Sequence, residues 1–96
     1  MLWAIPARVA KLDEMPLFFF DTRDGRAHCR DDVGLEFPDL ETVRVQAAKS
    51  LAELAMDVLP GSTDRCLGVE VRDEGNRAVL TTELIFKAFL LVDTFG

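Results

Sequence analysis

The sequence predicts an α+β fold of order β-β-α-β-β, with a four-stranded, mainly antiparallel sheet and one long helix packed on one face. Three observations predict it. An Asp-Gly turn joins two short β-prone segments around Asp24 and Gly25, apolar residues recur at helical spacing from Leu40 to Val58, and strict alternation from Leu67 to Val71 runs into a second turn. The 96 residues, 49% hydrophobic and 29% charged, have the length and composition of one globular domain. A chain this size buries somewhat over ~60% of the surface its unfolded form exposes, enough for a core without metal or disulfide staples.

The first hairpin begins with Leu17-Phe18-Phe19-Phe20 and turns at Asp24-Gly25, where both turn positions tolerate positive φ. A two-residue loop of Asp24 and Gly25 pairs Phe20 with Cys29 and places Asp21 opposite His28. One face then carries Phe18, Phe20, Ala27 and Cys29, and the other Leu17, Phe19, Asp21, His28 and Arg30. Gly34 marks a bend or bulge before Leu35-Glu36-Phe37.

Asp39 is a suitable N-cap and Glu41 suits the positive end of a helix dipole. Leu40, Val43, Ala47, Leu51, Leu54 and Val58 define one helical face, which Ala48, Ala52, Ala55 and Leu59 widen. Pro60-Gly61 ends a helix of about 20 residues, or ~30 Å. In the second hairpin Leu67, Val69 and Val71 face the core, with the turn inside Asp73–Asn76 and the chain resuming at Arg77. Centring the loop on Glu74-Gly75 sets Val69 opposite Leu80, and a shift of one residue on each strand keeps the same side chains inward. The tail from Leu84 to Val92 is apolar apart from Lys87 and must be buried in the domain or in a partner. A short helix after Thr82-Glu83 is expected there, with a long fourth strand as the alternative.

The net charge of −6, eleven Lys and Arg against seventeen acids, supplies no basic patch for phosphate neutralisation, so direct binding to nucleic acid is not expected. The acidic surface leaves open a basic protein partner. Cys29 and Cys66 have no metal-ligand or disulfide spacing and read as small buried hydrophobes in a reducing cytoplasm. Residues 1–10 are interrupted by Pro6 and Arg8, and no segment reaches the ~20 apolar residues of a membrane span, so a cytoplasmic protein without membrane contact is expected.

No residue set announces catalysis. His28 opposite Asp21 could form an oriented base, but no activated nucleophile accompanies it. Asp31, Asp32, Glu36, Asp39 and Glu41 do not follow the spacing of a calcium loop and read as a solvated rim, and Arg23, Arg26 and Arg30 are offset by neighbouring acids. No cofactor or metal site is expected. The informative feature is Leu17 and Phe19, two large apolar residues on the sheet face that a single helix cannot cover. They predict a cover supplied by Leu2-Trp3-Ala4-Ile5, by the Phe86–Val92 tail, by a second copy or by another protein. The candidate interaction surface is Leu17, Phe19, His28, Arg30, Phe86 and Phe89.

From Met15 onward the chain resembles a family of short bacterial domains of unknown function, frequent in alphaproteobacteria. The resemblance rests on Met15-Pro16 followed by aromatics, Arg23-Asp24-Gly25, Arg30-Asp31-Asp32 with Gly34, Pro38-Asp39-Leu40-Glu41, the Ala-rich helix and Val69 to Leu80. It implies no activity. It implies that Met15 is the usual start, which makes residues 1–14 an N-terminal extension or a misassigned start; residues 15–96 are read as a single α+β domain. The hairpin–helix order is similar, more distantly, to HicB-type antitoxin domains. The expected function is a small non-enzymatic binding or oligomerisation module, for instance a homodimer. An antitoxin-like regulator that neutralises a basic protein is the alternative, and a small enzyme using His28 the third reading.

Overall fold

The computed structural model describes residues 15–92, and residues 1–14, including Leu2 to Ile5, lie outside the described part. Its elements are β1 (Leu17–Asp24), β2 (Ala27–Cys29), β3 (Leu35–Glu36), α1 (Leu40–Val58), β4 (Asp64–Arg72) and β5 (Ala78–Lys87). All five strands form one antiparallel sheet in the order β2-β1-β4-β5, with β3 also paired to β1. The fold is α+β, as expected, with a fifth strand of two residues that is too short to leave a periodic signal. β2 and β3 share the outer side of β1, one along its C-terminal half and one along its N-terminal half.

The first turn sits one residue later than expected. Gly25 and Arg26 form the loop, with φ +61° at Gly25, so Asp24 pairs with Ala27, Arg23 with His28 and Thr22 with Cys29. Asp21 therefore does not face His28. The second hairpin shows the same displacement: Val69 pairs with Thr82 and Val71 with Leu80. Asp73 holds this turn with Oδ1, which accepts from the amides of Gly75 and Arg77 (both 2.9 Å), and Asn76 takes φ +64°. Each shift moves a pair by two residues in total, so side chains keep the face their parity assigned, except at the bulge between Val71 and Arg72, where Ala78 pairs with Arg72 and Val79 packs on the core.

Helix α1 starts where Asp39 Oδ1 accepts from the Thr42 amide at 2.9 Å and stops before Pro60 and Gly61, the latter at φ +85°. It lies mainly over β4 and β5. Val43 and Ala47 are fully buried against Phe18, Val69 and Val71, with Phe20, Phe37, Leu51 and Leu80 around them. Phe20 and Phe37 meet edge to face, 5.7 Å between ring centres. Burying each Val or Leu here contributes about 1.5–3 kcal/mol relative to exposure. Ala48 and Ala52, expected to widen the buried face, are exposed instead. They border an open groove between α1 and Leu80–Thr82.

Leu84 to Lys87 continue β5 rather than forming a helix. Among the described residues Asp64 and Arg65 at the start of β4 have no partner in β1, and pairing with Lys87 and Phe86 satisfies that backbone. Ala88 to Val92 have no regular structure.

Candidate functional site

Two regions outside the core concentrate chemistry: the sheet face opposite α1, and the free side of β5. On the open face, pairing sets Asp21 directly across from Glu70, two like charges. Two arginines on the diagonals resolve the conflict. Arg72 Nε and Nη2 donate to Asp21 Oδ2 and Oδ1 at 2.8 and 3.2 Å, and Arg23 Nη1 donates to Glu70 Oε2 at 2.7 Å. Arg23 reaches Glu70 across Gly68, where an added Cβ would sit 2.7 Å from Nη2. A side chain at that position would block the pair.

Arg72 also ties down the segment between β2 and β3. Its Nη2 donates to the Asp31 carbonyl at 2.7 Å, and its guanidinium lies 4.7 Å from the centre of the Phe19 ring. The Asp31 amide donates to Asp21 Oδ1 at 2.8 Å. The Asp31 carboxylate accepts from Phe20, Val33 and Gly34 amides at 3.0, 2.9 and 3.1 Å. Gly34 takes φ +78° and is buried against Leu17 and Phe19, with room for no Cβ. Burial pushes the Asp21 carboxyl upward. The Arg72 hydrogen bonds, the Asp31 amide and the charges of Arg72 and Arg30 outweigh that and hold it below its ordinary value. Burial likewise opposes ionisation of Asp31, and its three amide donors prevail. No buried side-chain nitrogen or oxygen among the described residues lacks a hydrogen-bond partner. This constellation is closed on itself and holds the strand break together.

The expected site residues fall into separate places. Leu17 and Phe19 are half-buried, and the Gly34 segment and the Arg72 guanidinium cover them in part. Phe86 is no part of that cover, because it pairs with Arg65 at the opposite end of β4. His28 and Arg30 are exposed at the β2 side, and the Asp21 partner proposed for His28 is bound to Arg72. Cys29, expected inside, is exposed on the three-residue edge strand, and Cys66 is partly covered, 3.7 Å from Glu83. Both are free thiols. The acidic stretch divides into separate assignments: Asp31 to backbone amides, Asp32 to Arg30, Asp39 to the helix start and Glu41 to Arg44. Among the described residues no group of three or more His, Cys, Asp or Glu could hold a metal ion. No described helix is long and apolar enough to cross a membrane.

The free side of β5 escaped the sequence reading. The Ala88 amide donates to the Thr63 carbonyl at 2.9 Å, and on the other side of β4 the Gly25 amide donates to the Cys66 carbonyl at 2.8 Å. Antiparallel alternation then turns the backbone groups of Leu84 and Phe86 toward β4 and those of Thr81, Glu83, Ile85 and Lys87 away from it. Among the described residues no strand pairs with those outward groups, which run along a ten-residue strand without Pro or Gly. Ile85 is 64% exposed, and Phe89, Leu90, Leu91 and Val92 beyond it are 73–92% exposed. Parity alone places Ile85 and Glu83 on the polar face, and the strand order makes that strand an edge.

Fold and site together define a small antiparallel α+β domain with an internally satisfied polar face and, among the described residues, an open sheet edge at β5 bordered by apolar residues. The chain belongs to a family of domains of unknown function, DUF6894, which matches residues 17–85. No curated protein and no solved structure matches it.

Proposed function

We propose that this domain is a small non-enzymatic binding module of the bacterial cytoplasm that acts by strand addition at β5. One observation carries the reading: ten residues of edge strand, unpaired on their outer side by any described strand, lead directly into the exposed apolar run Phe89–Val92. Sheet edges of this length are ordinarily shortened, bulged away or interrupted by proline, because a free row of N–H and C=O groups templates pairing with another strand. Added strands gain main-chain hydrogen bonds for affinity and side-chain pairs for specificity. The interaction surface proposed from sequence is thereby narrowed to its Phe86 and Phe89 end, to which Ile85 is added.

Ile85→Pro tests the reading. It deletes an outward N–H while leaving the ladder between β4 and β5 intact, since proline is tolerated on an edge strand whose N–H faces solvent. The variant is expected to fold, by circular dichroism, and to lose the companion or self-association that the wild-type chain shows in solution and in capture from host lysate. Unchanged association in a folded Ile85→Pro chain overturns the reading. Retention of a small basic protein that ignores Ile85→Pro would instead match the antitoxin-like alternative, in which the net charge of −6 supplies the contact.

A further inference from the structure

We infer that the strand added at β5 is β5 of a second copy, paired antiparallel about a two-fold axis through Ile85; this rests on the strand-addition reading above. Two identical strands that pair antiparallel must be related by an axis perpendicular to the sheet. Both helices then lie on the same face, and one residue opposes its own counterpart. The charges of β5 choose which residue that is. Glu83 and Lys87 are the only charged residues in the strand, and both lie on the open face.

Centring the pair on Glu83 sets two carboxylates face to face, and like charges directly opposite destabilise a sheet. Centring it on Leu84 sets Glu83 against apolar Ile85 of the second copy. Centring it on Thr82 brings Lys87 against Arg77. Centring on Ile85 sets Glu83 against Lys87 of the second copy, twice by symmetry, with Ile85 on Ile85 between them and Leu84 against Phe86 on the helix side. Lys87 is available for this, since its contact to Asp64 is a loose 3.9 Å between exposed side chains. The bulge between Val71 and Arg72 distorts only the first residues of β5, away from this centre.

The same register absorbs the exposed tail. Phe89 comes opposite Thr81 of the second copy, and Ala88 and Leu90 come opposite Thr82 and Leu80 on the helix side. That is where the groove lined by Val45, Ala48, Ala52 and Leu80 stands open. The two β4 strands would be three strand spacings apart, roughly 14 Å, wider than the 8–10 Å of directly packed helices. The helices above them leave a gap that these tail side chains fill. The exposed alanines on α1 and the exposed apolar tail are thus two halves of one interface.

Charge exchange tests the register. The wild-type chain is expected to run in light scattering at twice its 10.7 kDa mass. Glu83→Lys and Lys87→Glu should each run at once that mass, because each opposes like charges twice. Mixed in equal amounts, the two variants should form a heterodimer, and the double variant should dimerise again. Circular dichroism and thermal unfolding of the single variants separate loss of pairing from loss of fold. A wild-type chain that stays monomeric at several hundred micromolar overturns the self-pairing, and so does a dimer that both variants retain. If the monomer still captures another protein in a way that Ile85→Pro abolishes, strand addition stands and only the identity of the added strand is wrong. A dimer insensitive to Ile85→Pro removes both.

Discussion

Replacing Arg72 by Met should unbalance the open face more than any other single change there. Asp21 and Arg72 side chains are only 7% and 12% exposed, so the substitution leaves a buried carboxylate whose remaining partner is the Asp31 amide. Removing one member of a buried pair costs about 3–5 kcal/mol. The Met stem still covers part of the Phe19 ring and water reaches the sheet face, which places the cost near the lower limit, about 3 kcal/mol. For a domain of this size that lowers Tm by about 12–24 °C. Adding Asp21→Asn, which removes the stranded charge and still accepts from Asp31, should return about 1–2 kcal/mol. The acid behaviour supplies a second readout. In the wild-type chain the Asp21 pKa is lowered by folding, so its contribution is complete above the unfolded value near 3.9 and is lost as pH falls through the folded value. Without Arg72, only the Asp31 amide and the charge of Arg30 oppose burial, so the folded pKa rises from its wild-type position and protonation costs the variant less. The stability gap measured by urea unfolding should therefore narrow as pH falls from about 5 toward 3. A loss below about 1 kcal/mol at pH 7, with a gap independent of pH, would refute the view that this pair carries the face.

Gly34→Ala should destabilise by about 1–3 kcal/mol, through positive φ combined with a clash against Phe19, whereas Gly25→Ala meets only the conformational cost of about 1 kcal/mol. Thermal unfolding of the two variants side by side checks the order, and equal losses would show that the Phe19 contact is immaterial. Asp39→Ala should cost about 1 kcal/mol by removing the acceptor for the Thr42 amide. Val69→Ala should cost about 2–3 kcal/mol at a fully buried site, while Val45→Ala, half-exposed beside the groove, should stay within about 0.5 kcal/mol in the monomer.

Parity was legible in the sequence and register was not. Phe18 and Phe20, or Val69 and Val71, announce their face by alternation, and a turn misplaced by one residue displaces both strands together without exchanging faces. Anything that depends on which residues lie directly opposite was lost, and the Asp21–His28 pair is the example. The partner of Asp21 lies 51 positions away, on a strand whose pairing with β1 no local pattern encodes. The tail misled for a different reason. Leu84, Ile85 and Phe86 form a continuous apolar run in which periods of 2 and 3.6 cannot be told apart, and pairing with the start of β4 at Asp64 and Arg65 decided in favour of strand. The candidate edge at β5 was hidden for the same reason, since an edge exists only once strand order is known.

The interruption between β2 and β3 has a consequence for how the sheet can grow. Three residues and then two, set around the charged bend at Arg30–Asp32, offer an incoming strand no continuous row on that side. Among the described residues β5 is the continuous edge left for extension, and the symmetric contact proposed there would consume it in both molecules. The proposed pair would therefore be closed and would not propagate into a fibre. Lengthening β2 across the Asp31 bend would remove that stop and make the same chain capable of polymerising.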